Sequence, residues 1–253
     1  MNILIPMAGL GQRFKNENYI FPKPLVKLAG NPILTYLLKS LTIYKSNDDI
    51  IYITYVKPLN ILSLLQNHFE KINIVDDFNN IQLTLKGSGK GICICIELEI
   101  PTQGAAETLY ISTKIMKNLP LLSLDCDNFY NENICNKVRN LISSAIFYFE
   151  DFQSNPIYSY ISKNSNNIVV DIKEKIKISH YACSGGYFFK DTKTANEYSL
   201  KILKLSSVQN EIYISSIFEM MIKENHTIQA ISAIPINLGT PMAIEIYYKS
   251  VKN

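Results

Sequence analysis

Tryptophan is missing from this 253-residue chain, and arginine nearly so: of its 25 basic residues only Arg13 and Arg139 are arginines. The lack of tryptophan, beside an abundance of Ile, Asn, Lys and Tyr, reflects an AT-biased genome and carries no chemistry. The scarcity of arginine is more informative. A guanidinium offers phosphate a planar fork that lysine cannot reproduce, and one of the two arginines stands beside a pair of glycines. No apolar run reaches the roughly eighteen residues of a membrane-spanning helix. The first apolar stretch has no basic region before it or small-residue cleavage site, and Pro6 and Gly9 interrupt it. No signal peptide and no membrane partner are therefore expected, and the chain reads as cytoplasmic. Excess charge is lacking too: a net +3, evenly spread, argues against a nucleic-acid partner. The five cysteines (Cys93, Cys95, Cys126, Cys135, Cys183) have no zinc-like spacing and read as small hydrophobes in a reducing cytosol, with Cys93 and Cys95 on one face of a strand.

What is present is an ordinary globular composition, 47% hydrophobic and 19% charged. Residues 3–8 read as a buried strand and 32–41 as a helix. A strand over 49–56 and a helix over 61–69 follow. Further strands are expected at 72–75, 81–85 and 92–97, a helix at 105–116 and a strand at 121–125. This alternation implies a mostly parallel sheet with helices on both faces. The second half changes rhythm: AIFYFE, IYSYIS, NIVVDIKEK and YACSGGYFF, separated by Asn/Ser turns, suggest antiparallel strands. Helices are expected at 195–205, 212–223 and 241–249. The fold class is therefore α/β, a mostly parallel central sheet flanked by helices with a smaller antiparallel β-rich part. Residues 1–253 read as one domain, with a first half (1–130) of strand–helix alternation and a more β-rich second half (131–253).

The stretch AGLGQRF follows the first strand, and PKPLVKLAGNPIL comes soon after. Measured against the dinucleotide fingerprint G-x-G-x-x-G, Gly9 and Gly11 fit, but Phe14 stands at the third position and no acidic residue ends the next strand. No Gly-Lys-Ser/Thr follows the strand, which excludes a P-loop. A bare strand-to-helix turn is the plain alternative. Against it, Arg13, Lys23 and Lys27 gather near one turn where glycines let backbone N–H groups approach an anion.

These two segments resemble the signature of the sugar-nucleotide pyrophosphorylases, nucleotidyltransferases of the nucleotide-diphospho-sugar transferase (GT-A-like) fold: an apolar strand, G-x-G-x-R-[FL], a gap, then K-P-L. The resemblance implies that Ala8, Gly9, Leu10, Gly11 and Arg13 hold a nucleoside triphosphate, and that Lys23 stabilises the reacting phosphorus and departing pyrophosphate. Arg13 and Lys23 are its catalytic pair. PTQGAAETLY resembles the base-recognition segment, so Gln103, Gly104 and Ala105 are expected at the nucleotide, with Glu107 nearby; a plain helix start capped by Thr102 is the simpler reading. LLSLDCDNFY resembles the strand ending in the family's metal-binding aspartate, which selects Asp127, followed by Asn128. Asp125, expected to point the other way, is the alternate ligand. INLGTP resembles the second metal-binding turn and nominates Asn237. The implied cofactor is Mg²⁺, a cation that takes one or two protein oxygens plus phosphate oxygens and water. Read without the resemblance, Gly239, Thr240 and Pro241 are a helix start with proline at its first position.

On the acceptor side the family's E-K-P reads here as Glu174-Lys175-Ile176. Lys173, Lys175 and Lys177 alternate and are expected on one face, either for an acceptor phosphate or as a solvated edge strand. Gly185 and Gly186 in SGGYFF are expected to admit a substrate ring, and Glu211 to touch acceptor hydroxyls or sit at a helix N-terminus. The implied reaction is attack by a sugar 1-phosphate on a nucleoside triphosphate with loss of pyrophosphate. The chain lacks the long C-terminal β-helix of some relatives and is expected to be a stand-alone catalytic domain of a surface-polysaccharide pathway. The main alternative is a cytidylyltransferase with a small non-sugar acceptor such as phosphocholine. Less favoured are a GT-A glycosyltransferase, for which Asp-Cys-Asp fits but Arg13 and Lys23 do not, and an inactive nucleotide-binding subunit. The partners are the triphosphate and a phosphorylated small molecule; oligomeric state is left open, a homodimer included.

Overall fold

The computed structural model describes residues 1–9, 22–76, 78–206 and 211–252. In chain order they form β1 (Asn2–Met7), a 3₁₀ turn (Lys23–Leu25), β2 (Lys27–Leu28), β3 (Asn31–Pro32), α1 (Ile33–Tyr44), β4 (Ile50–Val56), α2 (Leu62–His68), β5 (Lys71–Val75), β6 (Ile81–Lys86), β7 (Ile92–Leu98), α3 (Ala105–Thr113) and β8 (Leu121–Leu124). There follow β9 (Asn128–Phe129), α4 (Ile134–Val138), β10 (Ser144–Glu150), β11 (Ser159–Lys163), β12 (Val169–Glu174), β13 (Tyr181–Phe189), α5 (Thr192–Leu205), α6 (Ile214–Lys223), β14 (Ile228–Ser232), β15 (Ile236–Asn237) and α7 (Pro241–Lys252).

One eleven-stranded sheet runs β12-β11-β13-β8-β1-β4-β7-β5-β6, with β10 paired to β13 and β14 paired to β10. Its centre is parallel, β1 lying between β4 and β8 and β7 between β4 and β5. Antiparallel pairs extend it at both sides, β6 on β5 and β13 on β8, followed by β11 and β12.

Period-two alternation splits the central strands between two cores. Ile3 and Ile5 of β1 and Ile51 and Ile53 of β4 pack under α1, whose Leu34, Leu37, Leu38 and Leu41 recur at helical spacing. Leu4 and Tyr52 face the other way, toward Leu109 of α3, Tyr198 of α5 and Phe218 of α6. Cys93 and Cys95 share the first face, their sulfurs 3.9 Å apart, and all five cysteines are buried and free. No helix among the described residues is long and apolar enough to cross a membrane.

Besides the two-residue strands β2, β3, β9 and β15, three elements differ from the sequence expectation. β14 forms where none was expected because β10 offers it a parallel partner, Ser144 to Tyr148 against Ile228 to Ser232. The short α4 is fixed locally by Asn133, whose side chain accepts from the Asn136 amide. The lysine-rich strand ends at Glu174, because Lys175 takes a left-handed backbone conformation with φ +53°.

Candidate active site

The candidate residues gather where β1 and β8 end, at the carboxyl edge of the parallel strands, which is where open α/β sheets bind ligands. Leu10, Gly11 and Arg13 lie outside the described residues. Ala8 is buried at the end of β1, and its carbonyl accepts the Thr102 amide at 3.0 Å, tying the first strand to the turn before α3. That turn is locked from the other side as well. Ile212 donates to the Gln103 carbonyl at 3.0 Å and accepts from the Ala106 amide at 3.1 Å. Gly104 has φ +150°, and a side chain there would run into the Ile212 backbone, whose nitrogen lies 2.8 Å from the Cβ position. Thr102 does not cap α3; its hydroxyl instead meets the Gly104 carbonyl (3.2 Å) and the Thr108 hydroxyl (2.7 Å), and Gly104 is the capping residue. Glu107 takes the free donor, accepting the Gln103 amide at 2.6 Å. A carboxylate at a helix N-terminus is favourably placed.

The second group centres on Asp127. β9 and β15 pair Asn128 with Asn237 and Phe129 with Ile236, and the Leu238 amide donates to the Asp127 carbonyl at 2.7 Å. This two-residue ladder carries the INLGTP turn onto the LDCDN turn. Asn237 Oδ1 accepts the Gly239 amide at 2.8 Å. A Cβ on Gly239 would overlap Asp127 Oδ2 and come within 3.1 Å of Asn237 Oδ1, so the two oxygens flank one point that glycine leaves free. Thr240 ends the turn by accepting the Ala243 amide at 3.1 Å, and α7 starts at Pro241.

Lys23, from the 3₁₀ turn, places its ammonium directly against Asp127 Oδ2; the two side chains are 23% and 11% exposed. Burial alone would push the Lys23 ammonium down, but the charge of Asp127, its hydrogen bond and the nearby Asp125 outweigh it and hold the lysine above its ordinary value. Cys126, between the two aspartates, is pushed up to about 12 by burial and brings no charge.

Asp125 does diverge from Asp127, but not through the strand pleat, which would put positions i and i+2 on one face. The chain leaves β8 after Leu124 and turns, the Asn128 amide donating to the Asp125 carbonyl at 3.3 Å. Asp125 Oδ2 sits 2.6 Å from where a Gly185 Cβ would be, next to the Asn128 amide group. Gly185, at φ +81°, thus admits Asp125 and Asn128, while the Cβ position of Gly186 faces the Phe147 ring. It is the protein's own side chains that fill the space above both glycines, in place of the substrate ring expected there. Asn128 donates to the Ser184 carbonyl at 3.2 Å, and its buried Oδ1 has no partner among the described residues.

The three lysines do not share a face. Lys173 pairs with Glu219 of α6 at 2.7 Å and Lys177 reaches Asp151 at 3.6 Å, because the left-handed Lys175 breaks the alternation between them. Glu174 is held by Ser215 at 2.9 Å and by Ser159. Lys175 donates to the Tyr213 hydroxyl at 2.7 Å and lies over its ring, and Tyr213 donates to Glu211 at 2.5 Å. Tyr213 went unnoticed in the sequence: nothing in NEIYISS marks one tyrosine among sixteen as a lysine partner.

Hard-cation chemistry fits the Asp127–Asn237 pair, a carboxylate and an amide oxygen brought together beside Gly239. Among the described residues no three His, Cys, Asp or Glu side chains converge as a metal set, so a cation here would complete its shell with phosphate and water oxygens.

A protein-family model described as nucleotidyl transferase matches residues 3–235. A 69-residue stretch is 35% identical to glucose-1-phosphate cytidylyltransferase of Salmonella typhimurium, covering 27% of this chain and 26% of that protein. The chain thus spans about a quarter of the length of the curated relatives it matches. Among solved structures, a nucleoside-diphosphate-sugar pyrophosphorylase from Vibrio cholerae RC9 superposes with a TM-score of 0.75 at 16% identity, over 98% of this chain and 100% of that one. The inositol-1-phosphate CTP transferase from T. maritima gives 0.73 at 12% identity, over 99% and 94%. At such identities the likeness is one of fold.

Proposed function

The chain belongs to the nucleotidyl transferase family, and from that premise we propose that it joins a nucleoside triphosphate to a sugar 1-phosphate, releasing pyrophosphate, with Mg²⁺ held by Asp127 and Asn237. The observation that carries this reading is the convergence of the Lys23 ammonium, the Asp127 carboxylate and the Asn237 amide oxygen at the ends of β1 and β8.

The difficulty of such a reaction is repulsion between two polyanions. An oxygen of the acceptor phosphate attacks the α-phosphorus, the bond from that phosphorus to the α–β bridging oxygen breaks, and pyrophosphate departs with the electron pair. A phosphate monoester is already an anionic nucleophile, so no general base is needed. The placement of the histidines suits this: His180 packs on Phe152, and His226 bonds the Tyr198 hydroxyl at 2.7 Å. Bound Mg²⁺ supplies charge neutralisation at the phosphates. Lys23 adds a fixed positive charge, Arg13 the phosphate fork, and the Gln103–Gly104 turn holds the base end. In a displacement of this kind alignment and charge stabilisation supply most of the rate. Lys175, with Glu174 and Glu211, would meet the acceptor.

Surface-polysaccharide assembly is the pathway class that would use such a product. The test is a grid of CTP, UTP, dTTP, GTP and ATP against sugar 1-phosphates and other phosphate monoesters, read as pyrophosphate release. CTP with glucose 1-phosphate comes first, since the Salmonella relative is named for that pair. Silence across the whole grid would overturn the reading. A second reading keeps CTP but takes a non-sugar acceptor such as phosphocholine. It is favoured by the engagement of Lys175 with Tyr213, which leaves the usual sugar-phosphate lysine turned to a neighbour. Release with phosphocholine and not with sugar 1-phosphates would decide for it.

A further inference from the structure

We infer that Lys23 acts as a built-in counter-ion that occupies Asp127 until a nucleotide draws it away, so that divalent-cation binding at Asp127 and Asn237 is held weak in the ligand-free protein. This rests on the proposed cation site and adds to it a competition that a phosphate role for Lys23 does not require.

The geometry sets up the competition. Asp127 Oδ2 is at once the oxygen that Lys23 contacts and the oxygen brought beside Asn237 Oδ1 at Gly239. The carboxylate is nearly enclosed, at 11% exposure, so it has little room to serve two cations from solvent-facing lone pairs. Its turn is also held: the Asp127 carbonyl accepts Leu238, the Asn128 backbone pairs with Asn237, and Gly239 lies against the carboxylate. With the turn fixed and Gly239 against it, the carboxylate has little room to turn a second face to a cation. A cation arriving alone must therefore displace an ammonium from a partly buried ion pair, where charges are poorly screened and separation is costly.

A triphosphate changes that balance. It offers the Lys23 ammonium other oxygens and brings negative charge to the place the cation would occupy. Lys23 can then leave Asp127 without becoming an unpaired charge. Cation and nucleotide should bind with positive coupling routed through this one side chain, and linkage makes the coupling reciprocal.

The test is Mn²⁺ binding to the full chain without nucleotide, followed by the loss of the free-ion electron paramagnetic resonance signal. Lys23→Met should bind Mn²⁺ at least about tenfold more tightly than the wild type, within the range of ordinary coupling. Lys23→Arg, which keeps the charge, should stay weak, and Asp127→Asn in the Lys23→Met background should abolish the gain. Lys23→Gln serves in place of the methionine variant if that one does not fold. Equal or weaker binding by Lys23→Met overturns the competition while leaving the cation site standing, provided Asp127→Asn still loses the metal. Absence of Mn²⁺ binding in every variant overturns the competition and the cation site together. Neither result bears on whether pyrophosphate is released, which the substrate grid reads separately.

Discussion

At the scale of single residues one of the two arginines has a clear structural task. Arg139 is structural: it forms a bidentate pair with Asp49, at 3.1 and 2.6 Å, and Asp49 is fully buried. Burial would raise the Asp49 carboxyl, but the bonds from Arg139, from the Met1 amino group and from the Ser46 amide outweigh it and hold it below the ordinary 3.8. A depressed carboxyl stabilises the fold above the unfolded value and loses that contribution as pH falls through the folded one. Arg139→Ala should therefore cost about 2 kcal/mol at neutral pH and raise the midpoint of acid unfolding, measured by circular dichroism during titration. Lys23→Ala makes the opposite pairing of effects. Its turnover should fall about a hundredfold or more, well beyond what the destabilisation from leaving Asp127 unpaired accounts for at a temperature where the variant is still folded, read in parallel by pyrophosphate release and calorimetry. Residue types at motif positions could be singled out because phosphate and hard-cation chemistry admit few of them. The meeting of Asp127 with Lys23 was not legible, since it depends on where two separate turns come to rest.

Elements were legible in proportion to their length. Tyr181–Phe189 could be read residue for residue as a strand, since its apolar run and neighbouring turns leave no helical alternative. β9 and β15 could not, because a two-residue strand has no periodicity of its own and exists only through its partner. The lysine stretch failed for a related reason: period-two reading assumes an unbroken strand, and the backbone reverses at Lys175. Gly104 shows how an element depends on one glycine. Its φ of +150° and the Ile212 backbone over its Cβ position leave no room for a side chain. Gly104→Ala should destabilise the fold by about 2 kcal/mol or more and weaken nucleotide affinity, checked by thermal melts and by calorimetric titration with a nucleoside triphosphate. Gly239→Ala would press on Asp127 and Asn237; it should lower Mn²⁺ affinity while leaving nucleotide binding in the absence of metal close to that of the wild type.

For the whole molecule, strand–helix alternation foretold the parallel centre of the sheet, and the change of rhythm after β8 foretold the antiparallel pairs beyond it. What alternation could not supply was the order in which strands lie. β1 sits between β4 and β8, and this position brings Ala8 and Gly9, just after β1, to the same edge as the LDCDN turn. The proposed cation requirement belongs to this scale, because Asp127 and Asn237 come from distant parts of the chain. Chelation by EDTA should stop pyrophosphate release and added Mg²⁺ should restore it, with circular dichroism unchanged throughout, since the sheet and its two cores do not depend on that pair.

The β9–β15 ladder has a consequence for how the protein is made. A ribosome delivers β1, the Gln103–Gly104 turn and Asp127 long before it delivers Asn237. Until β15 emerges and zips onto β9, the nascent chain would carry only one of the two oxygens proposed to hold a cation. Chains released early by truncation after Glu224 should therefore be silent in the pyrophosphate assay. On the proposed reading, β15 would arm the enzyme, and a half-made copy would spend none of the cell's nucleotides.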